Sequence, residues 1–483
     1  MRPVLSLVAV TLLAACADPS AVDSGDAAAL AQVGIVGPPD AYAVDFIATA
    51  AGGIVRNDAG DVVGDSYPDP GCGPFCLPPL ETVVWRSTGE RLLLPSVAGF
   101  SGIYPTGIDP AGMVVGYAGP YGTNTGAAVW QFDGVGYSST SLGTLPGTTA
   151  SYAVGVDDTG RVVGWSTTLA IPPVAAPFLW TEAGGLVDLT TLGFPNELPL
   201  SVSPGGVVTT PTGSYDLDDP TSFAALTAPP AGYLVGTYPT LANDAGEQAR
   251  FLVANSGSNL VYPYRYHPDG TWVQLSSIGT GNLSSYGLGG IDADGTVTGT
   301  VLGGGMIGFG VDGLFESIDP LLSPAYDATL AGMGSSASDG SVLGSLFLGT
   351  ASRLVTLVPV TACTAGCAKV STLTMTAKFV QDPAKPGQCT KKGKMKNSAK
   401  VTATVTDEAG VAIAGATVSG RFLDSYWMDA EVTGVTDATG KVTFSKTGKC
   451  GTGTWSFLVD DAVAAGRVFD RTTGVLSVSK IPL

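Results

Sequence analysis

The sequence predicts an all-β protein, with a β-propeller of seven blades followed by a β-sandwich. Three observations support this: a hairpin pattern recurs seven times before residue 360, no useful window shows an uninterrupted helical period, and strand patterns separated by turns fill residues 370–483. A Gly- and Pro-rich chain of 483 residues is long enough for both domains. The fourth copy is degenerate, which leaves six or eight blades open.

The recurring hairpin is clearest in VGVDDTGRVVG, where Asp, Asn or Ser precedes a turn glycine and a short β-prone run follows. A type I turn closed by a left-handed residue requires glycine at this point. Spacings of 40 to 52 residues fit a four-stranded blade. The seven turn glycines are Gly60, Gly112, Gly160, Gly206, Gly246, Gly295 and Gly340.

A second element ends in an aromatic residue: TVVW, AAVW, PFLW and, more faintly, YRYH at residues 82–85, 127–130, 177–180 and 264–267. We expect these rings to fill the gaps between neighbouring sheets. Together with LGTL at 142–145 and TTLG at 190–193, these pieces resemble the HAF family of extracellular bacterial repeats. The resemblance implies a propeller outside the cell and brings no catalytic residues. We expect residues 41–56 to close the last blade by pairing with residues 346–358.

The amino terminus has the pattern of an export signal. Arg2 precedes an apolar run from Val4 to Leu13, and the following Leu-Ala-Ala-Cys resembles a bacterial lipobox. Residues 1–16 are therefore predicted to be a lipoprotein signal with Cys16 lipidated, the alternative being that Cys16 is discarded with the signal. Ala17 is not the aspartate that retains some lipoproteins in the inner membrane, so we expect the outer membrane, with residues 17–40 as a flexible tether.

The two parts of the chain carry net charges of opposite sign. Residues 1–368 contain no lysine, eight arginines and 31 acidic residues, a net charge of −23, whereas residues 369–483 carry +5. We therefore place a domain boundary near residue 360, with the propeller over residues 41–360 and the sandwich over residues 361–483. An acidic propeller is unsuited to binding nucleic acid, which requires positive surface charge.

Six cysteines remain beside Cys16, and an even number outside the cytoplasm predicts disulfides. Of fifteen possible connectivities, we favour two local pairs and one long-range pair. A zinc site is the less favoured alternative, since the two C-x-x-x-C pairs lie far apart. The favoured pairs are Cys72 with Cys76, Cys363 with Cys367, and Cys389 with Cys450.

The carboxy-terminal strand patterns lie at residues 371–380, 399–407, 416–422, 441–446, 454–461 and 474–480. The segments VTDEAGVAIAGATVSGRF and GVTDATGKVTFS resemble the bacterial immunoglobulin-like and transthyretin-like modules of secreted proteins. Trp455 is expected in the core. The run KKGKMK at 391–396 could bind an anionic partner, although a solvated loop is the better interpretation.

Few residues in the sequence suggest catalysis or the binding of a metal or cofactor. His267 is the only histidine, so a Ser-His-Asp triad is improbable and metal sites with several histidines are excluded. Asp292 and Asp294 resemble half of a calcium loop, but later ligands are missing and a plain turn is favoured. No phosphate-binding glycine loop precedes a helix, so we predict no cofactor and no metal.

We therefore predict a non-catalytic, lipid-anchored recognition, adhesion or scaffold protein with an unidentified glycan or protein ligand and an undetermined oligomeric state. Segments 117–127 and 262–272, rich in Tyr, Asn and Gly, are interpreted as contact loops. Two alternatives stay open. One is a carbohydrate-active enzyme with carboxylates in the propeller funnel, and the other is a purely structural envelope protein.

Overall fold

The computed structural model describes most of the chain after residue 40. The described residues are 41–49, 51–67, 80–119, 125–168, 174–236, 240–256, 260–275, 286–301, 304–308, 315–317, 322–349, 351–378, 397–424, 429–448 and 454–481. The predicted signal, Cys16 and the tether lie outside these residues, as do Cys72, Cys76, Cys389, Cys450 and the KKGKMK run.

The described chain is all-β, as predicted, and consists of many small antiparallel sheets. Strand β1 spans Ala41–Thr49. Sheet 1 contains β2 (Ala51–Arg56), β3 (Val62–Ser66), β4 (Glu81–Trp85) and β5 (Arg91–Leu93). Sheet 2 contains β6 (Ile103–Ile108), β7 (Val114–Ala118), β8 (Gly126–Phe132) and β9 (Tyr137–Gly143). Sheet 3 contains β10 (Ala150–Val156), β11 (Val162–Thr167), β12 (Ala175–Thr181) and β13 (Gly185–Asp188), followed by a 3₁₀ helix at Leu189–Leu192.

Four more sheets follow with the same meandering order. Sheet 4 contains β14 (Ser201–Val202), β15 (Val207–Thr209), β16 (Gly213–Asp216) and β17 (Asp219–Ala225). Sheet 5 contains β18 (Tyr233–Val235) and β19 (Leu241–Ala242), which both pair with β20 (Gln248–Ala254), then β21 (Val261–Tyr266) and β22 (Trp272–Gln274). Sheet 6 contains β23 (Tyr286–Ile291), β24 (Val297–Val301), β25 (Gly304–Gly308) and β26 (Phe315–Ser317). Sheet 7 contains β27 (Ala328–Ser336), β28 (Val342–Leu348) and β29 (Ala351–Val360).

Strand β1 supplies the fourth strand of sheet 7. It runs antiparallel to β29, in a register from Ala41 opposite Val360 to Thr49 opposite Arg353. The start of the described chain therefore pairs with the end of the seventh repeat, as expected from the sequence, but only residues 41–49 do so, because residues 51–56 form β2 and pair with β3 in sheet 1.

The first strand of each sheet contacts the preceding sheet. Strand β6 contacts β2, β10 contacts β7, β14 contacts β10, β19 contacts β14, β23 contacts β20, and β27 contacts β23. Strand β2 in turn contacts β27 and β28. Among the described strands, contacts therefore run from sheet 1 to sheet 7 and return to sheet 1.

The apolar core of these seven sheets is divided among the gaps between neighbours. Adjacent residues of one strand face opposite neighbours, because side chains alternate along a strand: Val62 packs toward sheet 7 and Val63 toward sheet 2. The aromatic strand ends fill these gaps, which confirms that expectation. Trp85 packs with Leu343 and Leu354 of sheet 7, and Trp130 packs with Val63 and Val84 of sheet 1.

Two further sheets follow residue 360. Sheet 8 contains β30 (Cys367–Lys378), β31 (Asn397–Asp407), β34 (Lys441–Gly448) and the short β36 (Val468–Phe469). Sheet 9 contains β32 (Thr417–Leu423), β33 (Asp429–Val435), β35 (Trp455–Val463) and β37 (Ser477–Lys480). Phe444 of sheet 8 stacks on Phe457 of sheet 9, and Trp455 is fully buried, so Trp455 belongs to the core as expected.

Sheets 8 and 9 pack directly on sheet 7, and buried residues of all three form one hydrophobic cluster. Arg471 donates from Nη2 to the carbonyl of Val44 at 2.7 Å and to the carboxylate of Asp45 at 2.6 Å. Arg353, 1% exposed, donates to the carbonyl of Asp424. Both contacts join β1 or β29 to the carboxy-terminal part, so the two parts share a dry, hydrogen-bonded contact.

Candidate functional site: a cleft between sheets 2 and 3

The seven aligned glycines occupy one recurring turn, which joins the first and second strands of each sheet (β19 to β20 in sheet 5). Each has a positive φ, from 75° at Gly340 to 97° at Gly206. In every copy the glycine N–H donates to the carbonyl three residues earlier, and that earlier residue donates to the carbonyl four residues later. This is a type I turn closed by a left-handed residue, for which glycine is the favoured choice.

The first residue of the turn caps it through its side chain. In the first six sheets its oxygen accepts from the backbone N–H four residues later, for example from Met113 to Asp109 Oδ1 at 2.7 Å. Where this residue is asparagine, the amide also reaches the next sheet: Asn57 Nδ2 donates to the Asp109 carbonyl, and Asn243 Nδ2 to the Asp292 carbonyl. The turns therefore connect neighbouring sheets as well as strands.

Arginine side chains lie in several gaps beside these turns, and in three of them the guanidinium pairs with a carboxylate. In the gap between sheets 1 and 2, Arg86 lies 3.3 Å from Asp61 and 4.3 Å from the centre of the Phe132 ring. From other positions in their sheets, Arg161 pairs with Asp157 and Asp218 between sheets 3 and 4, and Arg265 pairs with Glu247 between sheets 5 and 6. Each guanidinium lies against the turn glycine of the next sheet, where an added Cβ would collide with it.

The gap between sheets 2 and 3 is open instead. Strand register places Gln131 at the position of Arg86, one residue after the paired tryptophans Trp130 and Trp85. A cleft of about 690 Å³ lies here, and none of its lining residues is basic. It is lined by Asp109, Ala111, Met113, Gln131, Phe132, Asp133, Ser138, Thr159, Gly160, Trp180, Thr181, Glu182 and Ala183.

Three carboxylates line this cleft in different environments. Asp109 is 6% exposed, and burial raises its pKa, although amide donors of its own turn partly offset this. Asp133 is exposed, and the amides of Gly136 and Val135 lower its pKa by donating to its carboxylate. Glu182, also exposed, accepts from Gln131 Nε2 at 3.2 Å.

Trp180 supplies the indole of the cleft wall. It occupies the same register as Trp130, which is fully buried against sheet 1. Trp180 packs on the core between sheets 2 and 3 but remains partly exposed. The sequence analysis treated this tryptophan as packing only. The residue after the aromatic strand end varies between copies, so Gln131 in place of Arg86 was no clear signal of the cleft without the strand register.

The residues considered for chemistry lie elsewhere. His267 occupies the register position of Arg86, and its Nδ1 lies 3.1 Å from Glu247, which also binds Arg265. Asp292 and Asp294 both accept from the Thr296 N–H, within their own turn. In the part of the chain that is described, no group of three His, Cys, Asp or Glu residues is arranged to hold a metal ion.

Two further expectations concern cysteines and loops. Cys363 and Cys367 form a disulfide with an S–S distance of 2.05 Å, the pairing favoured from the sequence. The expectation of a contact loop over residues 262–272 is wrong, because Tyr262 to Tyr266 lie in β21 and Trp272 begins β22. Rings of this segment pack on one another, such as Tyr266 on Trp272 with 4.7 Å between centroids.

A second aromatic cluster lies at the opposite end of sheets 2 and 3 from the cleft. Tyr104 stacks on Tyr117, which meets Tyr152 edge-on, and Tyr152 stacks on Trp165. Tyr104 is 45% exposed. This cluster belongs to the first two strands of each sheet and is separate from the residues that line the cleft.

No protein-family model matches the chain, and no curated protein matches its sequence. Among solved structures, prolyl oligopeptidase B from Galerina marginata covers 73% of this chain at 9% identity with a TM-score of 0.35, and the chain spans 47% of it, less than half its length. A puromycin-hydrolysing peptidase from Mycobacterium tuberculosis covers 77% at 12% identity and a TM-score of 0.35, with 62% of that chain spanned. The Trypanosoma rangeli sialidase in complex with sialic acid covers 93% at 9% identity and a TM-score of 0.29, with 91% of that chain spanned. Likenesses this distant carry no argument about fold or activity.

Among the residues that are described, no helix has the length and apolar character needed to cross a lipid bilayer.

Proposed function

We propose that this chain is a lipid-anchored, non-catalytic recognition protein of the outer membrane. In this proposal sheets 1–7, residues 41–360, close into a seven-bladed β-propeller, and sheets 8 and 9, residues 361–483, form an immunoglobulin-like sandwich. The return of contacts from sheet 7 to sheet 1 and the donation of β1 to sheet 7 support closure of the ring. The shared core of sheets 8 and 9 supports the sandwich.

The cleft between sheets 2 and 3 is the observation that carries the recognition function. Its volume of about 690 Å³ suits a small ligand or one or two side chains of a larger one. It combines a partly exposed indole with carboxylates and one amide, the mixture of a flat apolar face and a few polar groups that fixes a ligand in place. Asp109 and Asp133 also cap their own turns, so their positions are held by the fold.

A binding array of glycans and peptides probed with the full chain tests this function. We expect specific ligands whose binding is lost in Trp180→Ala, because that change removes the indole of the cleft wall. Tyr104→Ala, a partly exposed aromatic at the other end of sheet 2, is the matched control and should bind as the unchanged chain does. Equal binding by both variants would place recognition outside the cleft.

A second candidate, a carbohydrate-active enzyme, is favoured by one observation. Asp109 and Asp133 line the same cleft with pKa values shifted in opposite directions, and glycoside hydrolysis uses two carboxyl groups whose environments move their pKa values apart. Hydrolysis of any glycan by the full chain, abolished in Asp109→Asn, would support the enzyme and contradict the non-catalytic proposal.

The lipid anchor is tested separately. Metabolic labelling with a fatty acid should label the unchanged chain and not Cys16→Ser, because the thiol carries the diacylglycerol in a lipoprotein. Membrane fractions should lose the protein in the same variant. A labelled Cys16→Ser chain would rule out this anchor.

A further inference from the structure

Guanidinium groups of the chain itself lie in several gaps between neighbouring sheets, and in three of these gaps the guanidinium is paired with a carboxylate. Arg86, Arg161 and Arg265 each pair with a carboxylate of their own sheet and lie against the turn glycine of the next sheet. The Arg86 guanidinium also lies over the Phe132 ring and within 3.4 Å of the Tyr137 hydroxyl. The repeat therefore builds pockets for a planar cation bordered by acid and, in this case, by aromatic rings.

The gap between sheets 2 and 3 has the walls of such a pocket without the cation. Gln131 replaces arginine at the register position of Arg86, and Met113 replaces the acid at the position of Asp61. The acids lie instead on the turn before the cleft and on the following sheet, as Asp109 and Glu182. The lining carries three carboxylates and no basic side chain.

Asp109 is the buried acceptor of this cleft. It is 6% exposed, and its Oδ1 accepts from Met113. Its Oδ2 lies on the side of Gly160, 3.8 Å from where a Cβ on that glycine would stand. The equivalent residue of sheets 1 and 5 is asparagine, which donates to the next sheet; here an oxygen faces the cleft, and among the described residues no cationic side chain pairs with it.

We propose that the cleft binds the guanidinium of an arginine side chain presented by a protein partner, much as Arg86, Arg161 and Arg265 of the chain itself are held in three other gaps. The inference rests on the proposed recognition function and names its ligand. The Trp180 indole offers a face for the planar cation, and Asp109, Asp133 and Glu182 balance its charge. The net charge of −23 over residues 1–368 attracts basic partners from a distance.

Two capped tripeptides that differ only in charge test the proposal. One carries arginine between two glycines, and the other carries citrulline, which has the same shape without the charge. Calorimetric titration of the full chain with millimolar peptide should give affinity for the arginine peptide at least about tenfold higher than for the citrulline peptide. Added salt should reduce the difference in affinity between the two peptides, because salt screens the attraction between the arginine and the carboxylates.

Asp109→Asn is the decisive variant, because asparagine keeps the cap of the turn, as in sheets 1 and 5, but removes the negative charge and replaces the second carboxylate oxygen with an amide donor. We expect it to reduce the preference for arginine to less than about threefold. Asp269→Asn is the control: it makes the same charge change in an exposed turn of sheet 5 and should keep the full preference.

The possible outcomes separate the two proposals. Equal affinity for both peptides, or glycan binding that Trp180→Ala abolishes without any preference for arginine, overturns the guanidinium assignment and leaves recognition by the cleft intact. Absence of any ligand on the array together with no binding of the arginine peptide overturns both. Loss of the preference in Asp269→Asn as well would reduce the effect to net charge and contradict a specific site.

Discussion

The gaps on the two sides of sheet 2 are built from the same repeat, but the gap toward sheet 1 is filled by side chains and the gap toward sheet 3 is open. Toward sheet 1, Trp130 is fully buried and Arg86 fills the space above Phe132 and beside Asp61. Toward sheet 3, Trp180 is partly exposed and Gln131 leaves a cleft of about 690 Å³. The turn, the strand register and the tryptophan are shared, so the filled and the open gap differ mainly in one ion pair: Arg86 and Asp61 on one side correspond to Gln131 and Met113 on the other.

This difference shows where function can arise in a repeat protein. The turn is constrained in every copy, because positive φ at its fourth position favours glycine, and in the first six copies its first residue is a short polar cap. The residue after the aromatic strand end is free of both demands and differs from sheet to sheet: it is Arg86, Gln131, Thr181 and His267 in sheets 1, 2, 3 and 5. A recognition site can therefore arise where the side chains at such positions leave a gap unfilled.

The largest expected effect comes from removing the cation of the filled gap. Arg86→Ala leaves Asp61, whose side chain is 1% exposed, without its charged partner, and breaking a buried pair in this way costs about 3–4 kcal/mol of unfolding free energy. Gln131→Ala, the equivalent change in the open gap, should cost less than about 0.5 kcal/mol. Urea unfolding of both variants measures the difference.

The two results together decide whether the gaps differ as described. Similar losses in Arg86→Ala and Gln131→Ala would contradict the comparison. Millimolar guanidinium should partly restore Arg86→Ala and leave the unchanged chain unaffected, because only the variant has an unfilled pocket beside Asp61.

Alanine at the two turn glycines should give the next largest difference. Gly112 and Gly160 have φ of 91° and 81°, so each change costs about 1–2 kcal/mol in backbone strain. At Gly112 the added methyl also collides with the Arg86 guanidinium, whereas at Gly160 the nearest atom is the Met113 Cε at 3.6 Å. Thermal unfolding should therefore show Gly112→Ala as clearly less stable than Gly160→Ala; the reverse order would contradict the placement of Arg86.

In sheet 6, the first residue of the turn is Asp292, and its carboxyl group should make the stability of the chain depend on pH. Burial and the neighbouring Asp294 carboxyl raise the pKa of Asp292 to about 8. A carboxyl whose pKa is raised on folding favours the folded state at low pH, and that contribution is lost as pH rises from 3.8 to about 8. Asp292→Asn removes the carboxyl that titrates, so this fall in folding stability should not occur. The asparagine can cap the turn as Asn57 and Asn243 do in sheets 1 and 5.

Asp292→Asn should therefore stabilise the chain by about 1–2 kcal/mol at pH 9 and have little effect at pH 3.5. Denaturant unfolding at the two pH values measures this. An equal effect at both would show that the carboxyl does not change protonation between them.

Much of the fold was available from the sequence because it depends on local chemistry. The recurring turn needs a residue with positive φ, which favours glycine, so the seven glycines mark the turns in the sequence. The alternation of side chains along each strand then decides which neighbouring sheet each apolar residue faces. In the carboxy-terminal part, β33 and β36 were not predicted. Strand β33 alternates between half-buried and exposed residues, but its inner face is made of the small or single apolar residues Ala430, Val432 and Gly434, and β36 has only two residues, so neither gives a strong strand pattern in the sequence.

The cleft was not available from the sequence, because it lies between residues of two repeats. Gln131, Glu182 and Asp109 are far apart along the chain and ordinary in their own segments; only the register that places Gln131 where Arg86 stands makes the missing cation visible. Asp109 caps its own turn through one carboxylate oxygen, a role that depends on local sequence, whereas the surroundings of the other oxygen depend on the next sheet.

Gln131→Arg is the smallest expected change in stability and the most direct conversion of one gap into the other. An arginine at this position can reach Glu182, the present partner of Gln131, and its charge satisfies the acids of the cleft. We expect a gain of about 0.2–1 kcal/mol in unfolding free energy, the range of a partly exposed ion pair. Ligand binding in the cleft should be lost, because the side chain occupies the place of the ligand.

Gln131→Met, similar in length and uncharged, should leave stability within about 0.5 kcal/mol and keep the indole accessible. Since both variants retain the fold, loss of binding in Gln131→Arg alone would identify the cation as the occupant of the gap, and retained binding would place the ligand elsewhere on the chain.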